Sequence, residues 1–236
     1  MSARKKSNKR KLHTVSKFSK KNSPESEKSK KPLSIFGVEF VYLYLFGIGV
    51  AFIGWIAENA FKFAVSGVID SRFHLLPFIS PYLLIPFAFH IALGTPNDVT
   101  FFGKKVFKIS TAKTKILSNI IAYFAICACV FFGELAVGSL WEILFDVRLW
   151  NYSKHPLHIT KFTSVISVFG FGTGAYLIFK LLYTPILNFI RKKISFKTAK
   201  WICSTLGVLI VLDTVRMMIS TAILGEAPNF WRFDFW

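Results

Sequence analysis

Five long apolar stretches, separated by short polar loops, set the layout of this chain. They fall at residues 38–57, 73–93, 116–137, 162–182 and 201–224. Each is close to the length that crosses a hydrocarbon core of about 30 Å at about 1.5 Å of rise per residue. A soluble domain rarely carries such runs, and not five in series. The pattern predicts an all-α fold, a polytopic membrane bundle of five transmembrane helices.

Prolines and glycines refine the pattern. Pro77, Pro81 and Pro86 lie within the second stretch. Each removes a backbone donor, so that span is expected to be kinked or broken. Gly170 and Gly174 form a small-xxx-small pair in the fourth span, and Gly47, Gly49 and Gly54 stud the first; both predict close helix approach. Gly170, Gly172 and Gly174 are no dinucleotide fingerprint, because no strand precedes them.

Charge supplies the orientation. Residues 1–37 hold twelve Lys/Arg against Glu25 and Glu27. Few large apolar residues accompany them, so this segment is expected to be a disordered basic tail. It is too long and too basic for a signal-peptide leader, and 38–57 therefore reads as a retained span. The tail and the loops after spans two and four carry twenty-two basic residues; the opposite loops carry six. The positive-inside rule places the N-terminus in the cytoplasm and the C-terminus outside. Beside a membrane domain, the tail reads as an orientation signal attracted to anionic lipid rather than as a nucleic-acid ligand. The bilayer itself is the first partner. Cell membrane and endoplasmic-reticulum membrane fit this topology equally.

Polar residues inside spans are costly and usually face protein or a water-filled cavity. They are Glu58, His90, Glu134, Lys180, Asp213 and Arg216. His90 reads as a hydrogen-bonded packing residue, and Lys180 as a side chain that snorkels to the inner surface. Asp213 and Arg216 are three apart and share a helix face, which suits a local ion pair. Counted from the basic ends, Arg216 lies about 22 Å deep and Glu134 about 26 Å, so these two could also meet. Glu58, Glu134, Asp213 and Arg216 thus form a candidate cluster in the outer half, for a polar substrate, an ion or a structural salt bridge. Cys127, Cys129 and Cys203 imply neither a disulfide framework nor a metal site. No cofactor and no metal are expected.

The stretch after span three is the most distinctive. Gly133-Glu134 continues through Gly138, Trp141 and Glu142 to Leu149-Trp150-Asn151-Tyr152-Ser153. Glu134, Gly138 and Glu142 share a helical face, and Trp141, Trp150 and Tyr152 suit an interfacial aromatic belt. Asn151-Tyr152-Ser153 also matches the N-glycosylation pattern, although its nearness to the membrane argues against modification.

An acidic residue in span three followed by a Trp-x-Tyr-Ser block resembles the Putative ABC-transporter type IV (CmpB-like) membrane proteins, to which the animal transmembrane protein 229 looks related. Gly54-Trp55-Ile56-Ala57-Glu58 resembles that family's Gly-Trp-x-x-Glu, and Asp213 stands in the last span as an Asp often does there. The resemblance runs over about 38–220. Asn151 stands where the family usually has Asp, and the Gly/Pro/Cys-rich stretch before span two is reduced to Leu76–Tyr82. The family-motif residues are Gly54, Trp55, Glu142, Trp150, Asn151, Tyr152 and Ser153. The resemblance implies a permease-like transport component. The sequence has no G-x-x-x-x-G-K-[ST] phosphate loop, so ATP hydrolysis would fall to a separate ATPase subunit. Five spans are few for an autonomous carrier, which points to a homo-oligomer. The alternative is a membrane scaffold or assembly factor with a purely structural polar cluster. An intramembrane enzyme using Glu134 or Glu58 finds no supporting nucleophile, zinc motif or carboxylate pair.

Overall fold

A computed structural model describes residues 33–96, 98–107 and 111–236. Most of the tail therefore lies outside the described residues. Its last few residues do not: Ser34–Ile35 (β1) pairs antiparallel with Val38–Glu39 (β2) in a small hairpin that leads into the first helix.

Four helices are long and apolar enough to cross a membrane. The first, α1, is Phe40–Ser66, closed by Gly67 in the left-handed conformation. It is followed by a short strand, β3, Val68–Asp70. The second apolar stretch then departs from the five-helix expectation. Residues 71–79 are not helical; a 3-10 turn covers Ser80–Leu84, and only Ile85–Leu93 (α2) is α-helix. The prolines are the reason. Pro81 opens the 3-10 turn and Pro86 opens α2, each at a first-turn position where its missing N–H costs nothing.

This broken segment still runs the length of α1, in the opposite direction. Asp70 N–H donates to Asn59 Oδ1 at 2.9 Å, and Ile79 N–H to the Ala51 carbonyl at 3.2 Å. Further on, Leu83 passes Gly47, and His90 Nε2 lies 2.7 Å from the Ile35 carbonyl. A three-stranded sheet follows at that end: β4 (Gly94–Thr95), β5 (Asp98–Phe101) and β6 (Lys104–Lys105).

Helix α3 spans Ala112–Phe145, well beyond the apolar core of the third stretch. Thr111 starts it with a reciprocal capping box: its hydroxyl accepts from Thr114 N–H while its own N–H donates to the Thr114 hydroxyl. Ser164 and Ser167 repeat that device at the start of α4 (Val165–Leu177). A π turn at Ile178–Leu182 joins α4 to α5, Tyr183–Lys193. Pro185 has no N–H to offer the Leu181 carbonyl, so the hydrogen-bond ladder slips by one residue. Helix α6, Phe196–Leu224, is capped by Ser195. Strand β7, Arg232–Asp234, returns to pair antiparallel with β3.

α1 is the central helix. It packs against α2, α5, α6 and the 3-10 turn, and it has the largest buried share of the four long helices. One core joins Leu43 and Phe46 to Phe89, Leu93, Ile126, Phe179 and Tyr183; a second joins Ile48 and Ala51 to Leu83, Cys203 and Ile210. The other long helices are apolar yet largely unburied, as lipid-facing helices are: only 17% of the apolar window of α3 is covered.

The glycine expectation needs correction. Cβ atoms built at Gly170 and Gly174 would meet nothing within 4 Å, so this pair does not mediate an approach. Gly172 does, because a Cβ there would lie 2.6 Å from Cys127 Sγ on α3. Lys180 does not simply snorkel either; its ammonium donates to Asn119 Oδ1 at 2.7 Å and to the Pro96 carbonyl at 3.3 Å. His90 is fully buried, held by the Ile35 carbonyl and by the Tyr183 hydroxyl at 2.6 Å, as expected of a packing histidine.

Candidate functional site

Breaking the second segment frees backbone N–H groups that a continuous helix would have satisfied. In a low-dielectric setting each such group needs a partner. Asp213, buried on α6, supplies one. Its carboxylate accepts from Leu75 N–H and Leu76 N–H, both at 3.1 Å. Arg216, one turn on, donates to Asp213 Oδ1 through Nη2 at 2.8 Å and through Nε at 3.0 Å. Nη2 also reaches the Phe73 carbonyl at 3.2 Å, and the guanidinium lies 3.9 Å from the centre of the Phe230 ring. His74 Nδ1 is 3.4 Å from Asp213 Oδ2. The local ion pair is thus present, and it clamps an irregular backbone.

The second group gathers on α1. Glu58 accepts from the Tyr82 hydroxyl at 2.6 Å and from Arg72 Nη2 at 2.9 Å. Gly54, one turn earlier, leaves the space that Tyr82 occupies: a Cβ there would fall 1.8 Å from Tyr82 Cδ2. Trp55 donates through Nε1 to the Ser71 carbonyl at 3.4 Å. The Gly-Trp-x-x-Glu block therefore grips the returning segment with three of its residues. Arg72 and Phe73 hold positive φ values of 51° and 71°, a conformation that costs non-glycine residues of order 1 kcal/mol or more each. Asp70, buried nearby, pairs with Lys62.

The third group is on α3. Glu134 Oε2 lies 2.9 Å from the Ser167 hydroxyl of α4. That hydroxyl also lies 3.0 Å from the Ser164 carbonyl and accepts from Ser164 N–H at 3.1 Å. Ser167 can therefore serve either form of Glu134. It donates to the carboxylate, or it accepts from the carboxylic acid and donates to the Ser164 carbonyl instead. Among the described residues, no Lys, Arg or His lies within ion-pair distance of Glu134. Arg216 is spent on Asp213 and Phe73 rather than on Glu134.

The loop 146–164 is held by its own hydrogen bonds and packs on the end of α3. Trp150 Nε1 donates to the Phe162 carbonyl at 2.8 Å, and Tyr152 N–H donates to the Lys161 carbonyl at 2.8 Å. Buried Phe162 packs on Gly138, where a Cβ would come within 2.5 Å of the ring. Asn151 Oδ1 accepts from Ser153 N–H at 2.9 Å and holds the turn. Glu142, near the end of α3, pairs with Arg148 at 2.6 Å and with Lys161. Tyr152 connects loop and site. Burial pushes its phenol up to about 12, and the charges of Glu134 and Glu58 push in the same direction.

Glu58, Glu134, Asp213 and Arg216 therefore occupy three separate groups rather than one salt-bridged knot. Arg72, His74, Tyr82 and Ser167 complete them and were not singled out in the sequence. Two signals pointed that way: Tyr82 directly follows a proline in the broken span, and Ser164-x-x-Ser167 has capping spacing. Arg72 Nε and Arg216 Nη1 are buried without a hydrogen-bond partner among the described residues.

The family model described as Putative ABC-transporter type IV matches residues 44–218. That range contains all four clustered charges and the Trp150–Ser153 block, and it covers well over half of the chain. No curated protein and no solved structure matches the chain.

Proposed function

We propose, for a chain that belongs to the Putative ABC-transporter type IV family, a permease-like role in which a small polar solute passes through the cluster around Glu134. Four long apolar helices and the family make it an integral membrane protein related to transport. The broken second segment would complete the crossing beside α1, with the lysine-rich ends cytoplasmic and the C-terminus outside. Work from ATP would come from a separate subunit.

One observation carries this reading. Glu134 is a carboxyl group at membrane depth with a hydroxyl partner but, among the described residues, no cation within ion-pair distance. An intramembrane carboxyl group without a cationic partner is a poor structural device and a suitable binding group. The unpartnered guanidinium nitrogens of Arg72 and Arg216 add donors beside these acceptors. A solute bearing both donors and acceptors would match them.

The scaffold reading has its own support. Glu58 and Asp213 are each fully engaged by partners in the same chain. The two readings separate on Glu134. Affinity purification from native membranes in mild detergent tests the transport assembly. Recovery of a stoichiometric nucleotide-binding ATPase supports it, and recovery alone or with only copies of itself removes the ABC part.

A further inference from the structure

On a different face of α3 from Glu134, between Ile120 and Phe132, lies an apolar strip. Its lining combines small Ala125 and Ala128 with Phe101, Phe102, Phe124 and Phe132. The resulting groove, between α2, the β5–β6 hairpin and α3, has a volume of ≈ 670 Å³ and almost no polar lining. This is within the usual range of ligand pockets, about 300–1,000 Å³. Along α3 it extends from Ile120 to Phe132, about 18 Å at helical rise. That length is close to one leaflet of a hydrocarbon core about 30 Å thick.

One end of the groove is basic. Lys104 and Lys105 follow the two wall phenylalanines directly, in β6. Lys113 and Lys115 stand in the first turns of α3, about 8–10 Å along the helix from Ile120. All four are exposed. Asp98 lies 3.3 Å from Lys105; among the described residues the other three form no ion pair. An apolar trough one leaflet long, ending in uncompensated ammonium groups, matches an acyl chain joined to an anionic head.

We propose that this groove is a binding site for one anionic phospholipid, with an acyl chain along Phe101, Ile120, Phe124 and Phe132 and its phosphate among Lys104, Lys113 and Lys115. Apolar contact gives residence and the lysines give headgroup selectivity, because each basic residue near an anionic surface favours it by about fivefold. The proposal is independent of any solute at Glu134.

The test uses the full chain in nanodiscs with phosphatidylglycerol or phosphatidylcholine probes carrying a photoreactive acyl chain. Crosslinks are mapped by mass spectrometry. The site predicts labelling concentrated in 99–102 and 120–132, stronger for phosphatidylglycerol by at least about fivefold, the effect of one lysine. The surface variant K104Q/K113Q/K115Q should erase that preference while leaving labelling by phosphatidylcholine unchanged. A128F should fill the groove and lower both. Equal labelling by the two probes would overturn the proposal, as would labelling spread evenly over the exposed faces of α3, α4 and α6. So would crosslinking to a second polypeptide seated in the groove. Should A128F fail to accumulate, the lysine variant still decides.

Discussion

Asp213 on α6 accepts the backbone N–H of Leu75, 138 residues earlier, with both carboxylate oxygens at 3.1 Å. The contact gives an irregular stretch of backbone the partner that its own geometry denies it. Asp213→Asn keeps an acceptor oxygen but removes the charge opposite Arg216. Breaking a buried pair costs about 3–5 kcal/mol, and the low end applies here because the Arg216 side chain is 26% exposed. Arg216→Gln should cost less, since Asp213 keeps Leu75 and Leu76. Thermal unfolding in detergent should rank the two variants in that order; the reverse order would show that Asp213 depends on Arg216 more than on the Leu75 and Leu76 N–H groups.

Gly54→Ala drives a methyl group into the Tyr82 ring and displaces the hydroxyl from Glu58. The expected loss is about 1–3 kcal/mol, typical of overpacking. In a Tyr82→Ala background the same change should be nearly free, because the obstacle has gone. A double-mutant cycle on unfolding midpoints measures this coupling, and additive costs would refute it.

Glu134→Gln retains a side-chain oxygen for Ser167 and leaves no charged partner stranded. The protein should accumulate and elute normally on size exclusion, yet lose transport by at least about tenfold, as expected when a group contributing about 1.4 kcal/mol or more is removed. Glu58→Gln, by contrast, removes the nearer anion of Arg72, at 2.9 Å, leaves it only Asp70 at 3.9 Å, and should lower abundance. Low abundance for both variants would move Glu134 into the structural category and favour the scaffold reading.

Asn151 works here as a neutral acceptor for Ser153 N–H. Asn151→Asp should therefore alter stability by no more than about 0.5 kcal/mol, and Asn151→Ala should cost about 0.5–1.5 kcal/mol, one net hydrogen bond. Hydrogen exchange across 150–163 provides the readout. Faster exchange in the Asp variant would assign a role to the missing charge.

Much of this was legible in the sequence because membrane solvent leaves a strong imprint. The long apolar runs gave four helices, and Pro77, Pro81 and Pro86 marked the stretch that is not one. The Asp213–Arg216 spacing gave the ion pair. The sequence could not say what the pair holds, because Leu75 and Leu76 are apolar side chains whose relevant atoms are backbone N–H groups. Nor did it show which glycines face a neighbour. Gly170 and Gly174 have the familiar spacing, yet Gly172 alone meets Cys127, since the azimuth of α4 is set by packing elsewhere. Tyr82 was hidden for a similar reason: only the opening at Gly54 explains why a phenol reaches Glu58.

The broken second segment has a consequence for biosynthesis. As the chain leaves the ribosome, 73–79 emerges long before α6, and until α6 arrives the N–H groups of Leu75 and Leu76 lack their acceptor. The segment cannot take its final seat when it is made. Its seat is completed only once α6 brings Asp213 to Leu75 and Leu76. A cysteine introduced within 73–79 should stay open to aqueous labelling reagents in a nascent chain stopped before Asp213 and be protected in one extended past Arg216.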